Sequence, residues 1–275
     1  MQGHLPNLIV IGAMKSGTTS LHDYLAKHPD IFMSTPKEVD FFAGANENRG
    51  LDWYKSLFPT DHKIRGESSQ NYSKGHNPLY AHAPKNIAKI IPDAKLIYLV
   101  RDPVERYRSH ILENAYGEPL EAFQLNAEID SYVKTGLYHF QLSRFLEHFD
   151  LSQIKVIAME RLKTDRLEVM NEIFRWVDVD EISDPGTFDF ISNHHKSKQT
   201  PYLMRRNFCF RSLNKIWPAA AERFGGSHVV QRMFHAMPAK VDLNIEQQES
   251  LMERFRSDTV RLRALTGLPF SEWSI

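Results

Sequence analysis

Apolar residues in this chain come in short runs, Leu8 to Ile11, Ile31 to Met33 and Ala94 to Val100, the last interrupted only by Lys95, separated by segments whose apolar positions recur every three or four residues. Runs of that length without polar alternation read as strands buried on both faces, and the helical recurrence reads as the layers that cover them. Helices are expected over 19–27, where Leu21, Tyr24 and Leu25 share a face before His28-Pro29 ends the run, and over 51–58, 84–91, 103–116, 137–148, 165–176 and 245–265, the last with Gly267 as C-cap. Further strands are expected over 63–69, with a polar end, and over 154–159. Twice, near residues 8–27 and 94–116, the chain makes strand, polar turn, helix. That repetition predicts an α/β fold, three layers with a central, mostly parallel sheet flanked by helices, and a ligand across the carboxyl ends of the strands.

The first of these turns carries the candidate chemistry. It is bounded by Gly12 and Gly17 and holds Lys15, Ser16, Thr18, Thr19 and Ser20. N–H groups left unpaired at a helix start point the same way as the positive end of the helix dipole, so such a turn binds an oxyanion by geometry and charge together. The two glycines let the backbone approach closely. The spacing nearly fits the nucleoside-triphosphate loop G-x-x-x-x-G-K-[ST], with Thr19 at the final hydroxyl position. Thr18, however, stands where that motif has lysine, and Lys15 comes two residues before the second glycine. A lysine placed that early reaches a different part of the ligand, which weighs against a Mg-dependent ATPase or GTPase. The structural alternative is an ordinary capped strand-to-helix turn.

At 275 residues the chain can bury a large core, and no low-complexity linker or internal repeat divides it. A single domain over 1–275 is expected, with 183–240 a less regular flap broken by Pro185-Gly186, Pro201, Pro218 and Gly225-Gly226. Lys plus Arg and Asp plus Glu number 34 each, a formal net charge of zero, so no global field draws the chain to nucleic acid or membrane. Basic chemistry has to be local. The one cysteine, Cys209, excludes an internal disulfide framework and offers no Cys-based zinc site. His194 and His195 are adjacent on an extended segment and point in opposite directions, so no metal is expected. The N-terminus lacks a leader-like apolar run, and a cytoplasmic location is expected.

A second anion site is expected where Arg101 leaves the 94–100 run, because Ser109 lies one to two turns into the following helix and both can converge on one group. Alone, Arg101-Asp102-Pro103 reads equally as a capped turn with a local Arg–Asp pair. Two anion sites on neighbouring strands together suit a nucleotide with phosphates at separate ends. On Lys15-Ser16-Gly17-Thr18-Thr19-Ser20, on Val100 to Ser109, and on the ending Leu-Thr-Gly-Leu-Pro-Phe-Ser-Glu-Trp that closes at Trp273, the chain resembles the P-loop-like sulfotransferases that use 3′-phosphoadenosine 5′-phosphosulfate. The resemblance covers most of the chain and is poorest over 183–240. It implies that Lys15, Ser16, Gly17, Thr18, Thr19 and Ser20 take the 5′-phosphosulfate and that Arg101 and Ser109 take the 3′-phosphate. Adenosine 3′,5′-bisphosphate would be the product, and no metal is required, because a lysine can neutralise the leaving phosphate of the less highly charged sulfuryl group. Lys198 in the flap reads as a further phosphate contact or as solvated charge.

The acceptor, a hydroxyl or amine of a small molecule or carbohydrate, must lose a proton as it attacks sulfur. Lys37-Glu38-Val39-Asp40-Phe41-Phe42 resembles the Glu-Val-His-Phe-Phe segment of glycosaminoglycan-type enzymes, which implies Glu38 as base. Burial against Phe41 and Phe42 is expected to raise its pKa, with Lys37 opposing. Asp40 replaces the histidine of those enzymes and Glu67-Ser68 their frequent Glu-Lys, and both departures disfavour a polyanionic, heparan-like acceptor. His139, opening the 137–148 helix, is the alternative base, as in the phenol and steroid branch. A small-molecule kinase and a non-catalytic nucleotide-binding module are the competing readings.

Overall fold

The computed structural model describes residues 3–114, 127–190 and 243–275. Five strands form one sheet: β1 (Leu8–Gly12), β2 (Ile31–Met33), β3 (Ile64–Ser68), β4 (Lys95–Val100) and β5 (Ile154–Ala158). Their order is β2-β3-β1-β4-β5, and every pairing is parallel. The connections from β1 and β4 leave in opposite directions, so the sheet's switch point, where α/β folds bind ligands, falls between their carboxyl ends.

The apolar runs are explained by two cores on either side of this sheet. Ile9, Ile11, Leu96, Tyr98 and Val100 face one of them, with α2 (Leu51–Ser56), α3 (Ala83–Ile90), α6 (Tyr138–Leu146) and the C-terminal tail. Leu8, Val10, Ile97 and Leu99 face the other, with α1 (Thr18–Leu25), α7 (Met159–Thr164) and α8 (Arg166–Val177). Each of these side chains is fully buried, worth about 1.5–3 kcal/mol apiece relative to exposure. A third cluster joins α4 (Pro103–Asn114), α5 (Ala127–Thr135) and α9 (Ile245–Thr266) through Tyr107, Tyr132 and Phe255. Asp258 of α9 caps α6, accepting from the amides of His139 and Phe140 at 2.9 Å each.

The three-layer α/β expectation holds, with an all-parallel sheet. Three local differences stand out. Helix α1 begins at Thr18 rather than 19 because Gly17, at φ 91°, takes the left-handed N-cap position. The fifth strand stops at Ala158, and residues 159–164 form α7, a helix with a single buried side chain, Leu162. Helix α5 was not expected. Residues 115–116 of the expected 103–116 helix lie outside the described residues, as does the flap from 191 onward; residues 183–190 of it are described and hold a short 3-10 turn at Pro185–Phe188. Among the described residues no helix is long and apolar enough to cross a membrane.

Candidate active site

Strand β1 delivers the first loop to the switch point. Ala13 donates to the Leu99 carbonyl at 2.6 Å, tying the loop to β4, and Ser16 donates back to Ala13 at 3.1 Å. Gly12 is required by close approach as well as by its φ of 154°, since a Cβ there would lie 2.0 Å from Ser73 Oγ. At Gly17 a Cβ would meet only ordinary contacts, so there the left-handed backbone alone selects glycine. No side chain caps α1, and its first-turn amides emerge from the loop with the positive end of the dipole. Thr18 is buried, and Thr19 and Ser20 are half-buried in the first turn. The Ser16 hydroxyl is buried beside the Tyr138 hydroxyl with no well-aligned hydrogen bond of its own, so it is placed to donate to an oxyanion. These features fit an anionic ligand.

Arg101 follows β4 and meets that loop. Its Nη1 donates to the Lys15 carbonyl at 3.4 Å, and its Nη2 lies 3.7 Å from Glu105. Ser109, half-buried, is four residues beyond Glu105 on α4 and so shares the face that Glu105 turns toward Arg101. The two anion sites read from sequence are therefore adjacent. The capped-turn alternative is also realised, but without an Arg–Asp pair: Asp102 accepts from the Val104 and Glu105 amides at 2.8 and 3.1 Å, and from the Ser274 amide at 2.6 Å. Glu160 receives the Asp102 amide at 3.0 Å and Trp273 Nε1 at 3.2 Å. Trp273 and Ser274 at the end of the chain thus tie onto the Arg-Asp-Pro turn through Glu160 and Asp102.

Sequence reasoning missed Tyr138, which reads as an ordinary buried core tyrosine. Its hydroxyl donates to the Arg101 carbonyl at 2.7 Å, close to Ser16, and burial pushes the phenol up to about 12. His139, the alternative base, instead sits against Asp258 at the start of α6. Arg106 is wholly buried, donating to His110 Nδ1 at 3.1 Å and to the Tyr132 carbonyl. Its charge, with those of Lys74 and Lys15, bears on His110, so the neutral chain does concentrate positive potential beside the first loop.

Burial lowers His22 and His76 to about 4, and burial with Arg106 lowers His110 to about 2. An unfolded histidine takes up its proton near 6.5, so below that pH the unfolded chain binds more protons. The stability these neutral side chains contribute is full above pH 6.5 and falls as pH drops from there, toward 4 for His22 and His76 and toward 2 for His110. H110N keeps an acceptor for Arg106 without titrating. It is expected to show a shallower loss of Tm between pH 6.5 and 4 than the parent, measured by circular dichroism.

On the other flank of the loop, the segment after β2 and the end of β3 carry the residues expected to face the acceptor. Glu38 donates its amide to the Ser68 carbonyl at 2.9 Å, and its carboxylate pairs with Lys37 Nζ at 2.7 Å. The expected burial of Glu38 against Phe41 and Phe42 is corrected. Phe41 stacks on Tyr54 at 4.1 Å and Phe42 packs edge-on to Tyr72, because both rings turn into the core, while the Glu38 side chain remains 36% exposed. Asp40 accepts from Asn71 Nδ2 at 3.2 Å, and burial raises its pKa. Ser68 bonds His22 Nδ1 at 2.9 Å. Lys198, His194 and His195 lie outside the described residues.

The chain is thus an α/β fold with a glycine-bounded turn that presents helix amides at its switch point, Arg101 beside that turn, and the Glu38 carboxylate in a segment bonded to the neighbouring β3. The chain matches the family model described as the sulfotransferase domain over residues 5–207, and it belongs to that family of sulfate-transferring enzymes. Among curated proteins it is 33% identical over 196 residues to bifunctional heparan sulfate N-deacetylase/N-sulfotransferase 1 of Caenorhabditis elegans, a match covering 64% of this chain and 22% of that one. It is 32% identical over 216 residues to bifunctional heparan sulfate N-deacetylase/N-sulfotransferase 4 of Mus musculus, covering 68% and 24%. The chain thus spans under a quarter of the length of these two relatives. A sulfotransferase crystal structure from Alicyclobacillus acidocaldarius shares the fold at a TM-score of 0.64 and 23% identity, covering 99% of this chain and 100% of that one.

Proposed function

We propose that this chain transfers a sulfuryl group from 3′-phosphoadenosine 5′-phosphosulfate to a hydroxyl or amine of a carbohydrate acceptor. The observation that carries this reading is the meeting of Arg101 with the Lys15 loop between β1 and β4, with Glu38 on the opposite flank, in the loop after β2 that is bonded to the end of β3. The first loop holds the 5′ end and Arg101 with Ser109 the 3′-phosphate. Glu38 takes the proton of the acceptor as its oxygen or nitrogen bonds to sulfur. The bond from sulfur to the bridging oxygen breaks, its electron pair goes to the 5′-phosphate, and the Lys15 ammonium neutralises the charge that develops there. A kinase is disfavoured by the buried Thr18 at the position where a phosphate loop presents lysine.

The names of the relatives, heparan sulfate N-sulfotransferases, support a carbohydrate acceptor. Asp40 adds a carboxylate near Glu38, and Ser68 is bonded to a neutral histidine, which together favour a less anionic carbohydrate than heparan. Incubation with the phosphosulfate donor and a panel of neutral, amine-bearing and sulfated oligosaccharides, reading release of adenosine 3′,5′-bisphosphate, tests this. Turnover is expected to be greatest with the neutral or amine-bearing members. Turnover with none, or transfer of phosphate from ATP instead, would overturn the reading.

A further inference from the structure

The loop that carries Glu38 is held in an unfavourable shape. Glu38 and Asp40 have φ of 62° and 48°, left-handed values that cost a non-glycine residue about 1–2 kcal/mol each. Three alternate amides of this loop are bonded to the region following β3. Glu38 N–H reaches the Ser68 carbonyl at 2.9 Å, Asp40 N–H reaches Ser69 Oγ at 3.1 Å, and Phe42 N–H reaches the Tyr72 hydroxyl at 3.2 Å. Both hydroxyls then donate onward to a single carboxylate, Glu67, at 2.8 Å from Ser69 and 3.1 Å from Tyr72. Tyr54 adds a third donor at 2.7 Å.

We infer that Glu67 is a positioning residue for the catalytic loop, acting through Ser69 and Tyr72 to fix the backbone that aims Glu38 at the acceptor. Glu67 is wholly buried and has no cation beside it among the contacts of its carboxylate, an arrangement costly unless its lone pairs are used. A carboxylate in that place orients both hydroxyl protons toward itself, which leaves the hydroxyl lone pairs facing the loop amides and strengthens those bonds. Burial raises Glu67 to about 7, while the three hydroxyl donors act to keep it charged. An apolar residue at 67 would fill the space without setting the direction of either hydroxyl. The inference rests on Glu38 as base, since a loop that merely closed the core would have no catalytic readout.

The test uses E67Q, S69A and Y72F, each made in the parent and in E38Q, with S69T as the restoring variant for S69A. Hydrogen exchange is expected to quicken at the Asp40 amide in S69A, at the Phe42 amide in Y72F, and at one or both of them in E67Q, whose amide cannot accept from both hydroxyls. Sulfuryl transfer should show kcat lowered about tenfold in each, the scale of a slightly misplaced reacting group. The Kd for adenosine 3′,5′-bisphosphate should be unchanged, which also reports that the variants fold. In the E38Q background none of the three changes should lower the residual kcat further, and S69T should restore both exchange and kcat. Unchanged exchange at these amides, unchanged kcat, or an equal kcat loss in E38Q would overturn the positioning role. A parental kcat in E38Q alone would instead overturn Glu38 as base, and with it the catalytic half of the inference, leaving the exchange data to judge the loop contacts.

Discussion

E38Q is expected to lower kcat by about 10²- to 10⁴-fold, the range contributed by a positioned general base, while binding adenosine 3′,5′-bisphosphate as the parent does. Glutamine keeps the size of the side chain and the backbone bond to the Ser68 carbonyl, but it cannot take the acceptor proton. The side chain is open enough to meet an acceptor and is paired with Lys37, which would be freed of its partner. Loss confined to kcat means that the group acts only as the transition state forms. A loss confined to acceptor KM would instead assign Glu38 to binding. Steady-state kinetics of transfer with the best carbohydrate acceptor measure both.

K15A is expected to lower kcat by about 10²- to 10³-fold, comparable to removing one donor from an oxyanion site, and to weaken donor binding as well. Lys15 lies in the loop at a positive φ of 68°, its carbonyl engaged by Arg101 Nη1 at 3.4 Å. That arrangement fixes the backbone and leaves the direction of the side chain to the loop. Alanine at this position removes the charge proposed to offset the leaving 5′-phosphate, so the loss should shrink for donors with a better leaving group. K15R, which keeps the charge but not its compact shape, should fall between the parent and K15A. Full activity in K15A would remove lysine from the mechanism.

The sheet was legible because parallel strands are buried on both faces. Leu8 to Ile11 and Leu96 to Val100 leave no polar position to confuse a strand with a surface helix. The first loop was legible because Gly12 and Gly17 are demanded by backbone geometry, and Arg101 because it ends such a run. Helix α7 was not, since only Leu162 of its residues is buried and its apolar period is therefore absent. Contacts between distant segments were equally hidden. Tyr138 reaches Arg101 from another helix, and Ser274 reaches Asp102 from the far end of the chain. The burial expected for Glu38 failed for a related reason: adjacent aromatics in sequence signalled a core, but the turn at Glu38 and Asp40 directs the two rings inward and the carboxylate outward. Glu67, noted in sequence only as half of a departure from a family pattern, gains its meaning from three hydroxyls that converge on it in space.

Isothermal titration with adenosine 3′,5′-bisphosphate in metal-free buffer reads most directly whether a nucleotide is gripped at both ends across the switch point. A two-ended grip gives saturable binding by the parent, at least tenfold weaker binding by R101A, and weaker binding of ATP with Mg²⁺ than of the bisphosphate. Equal affinity in the parent and R101A, or preference for ATP with Mg²⁺, would contradict it.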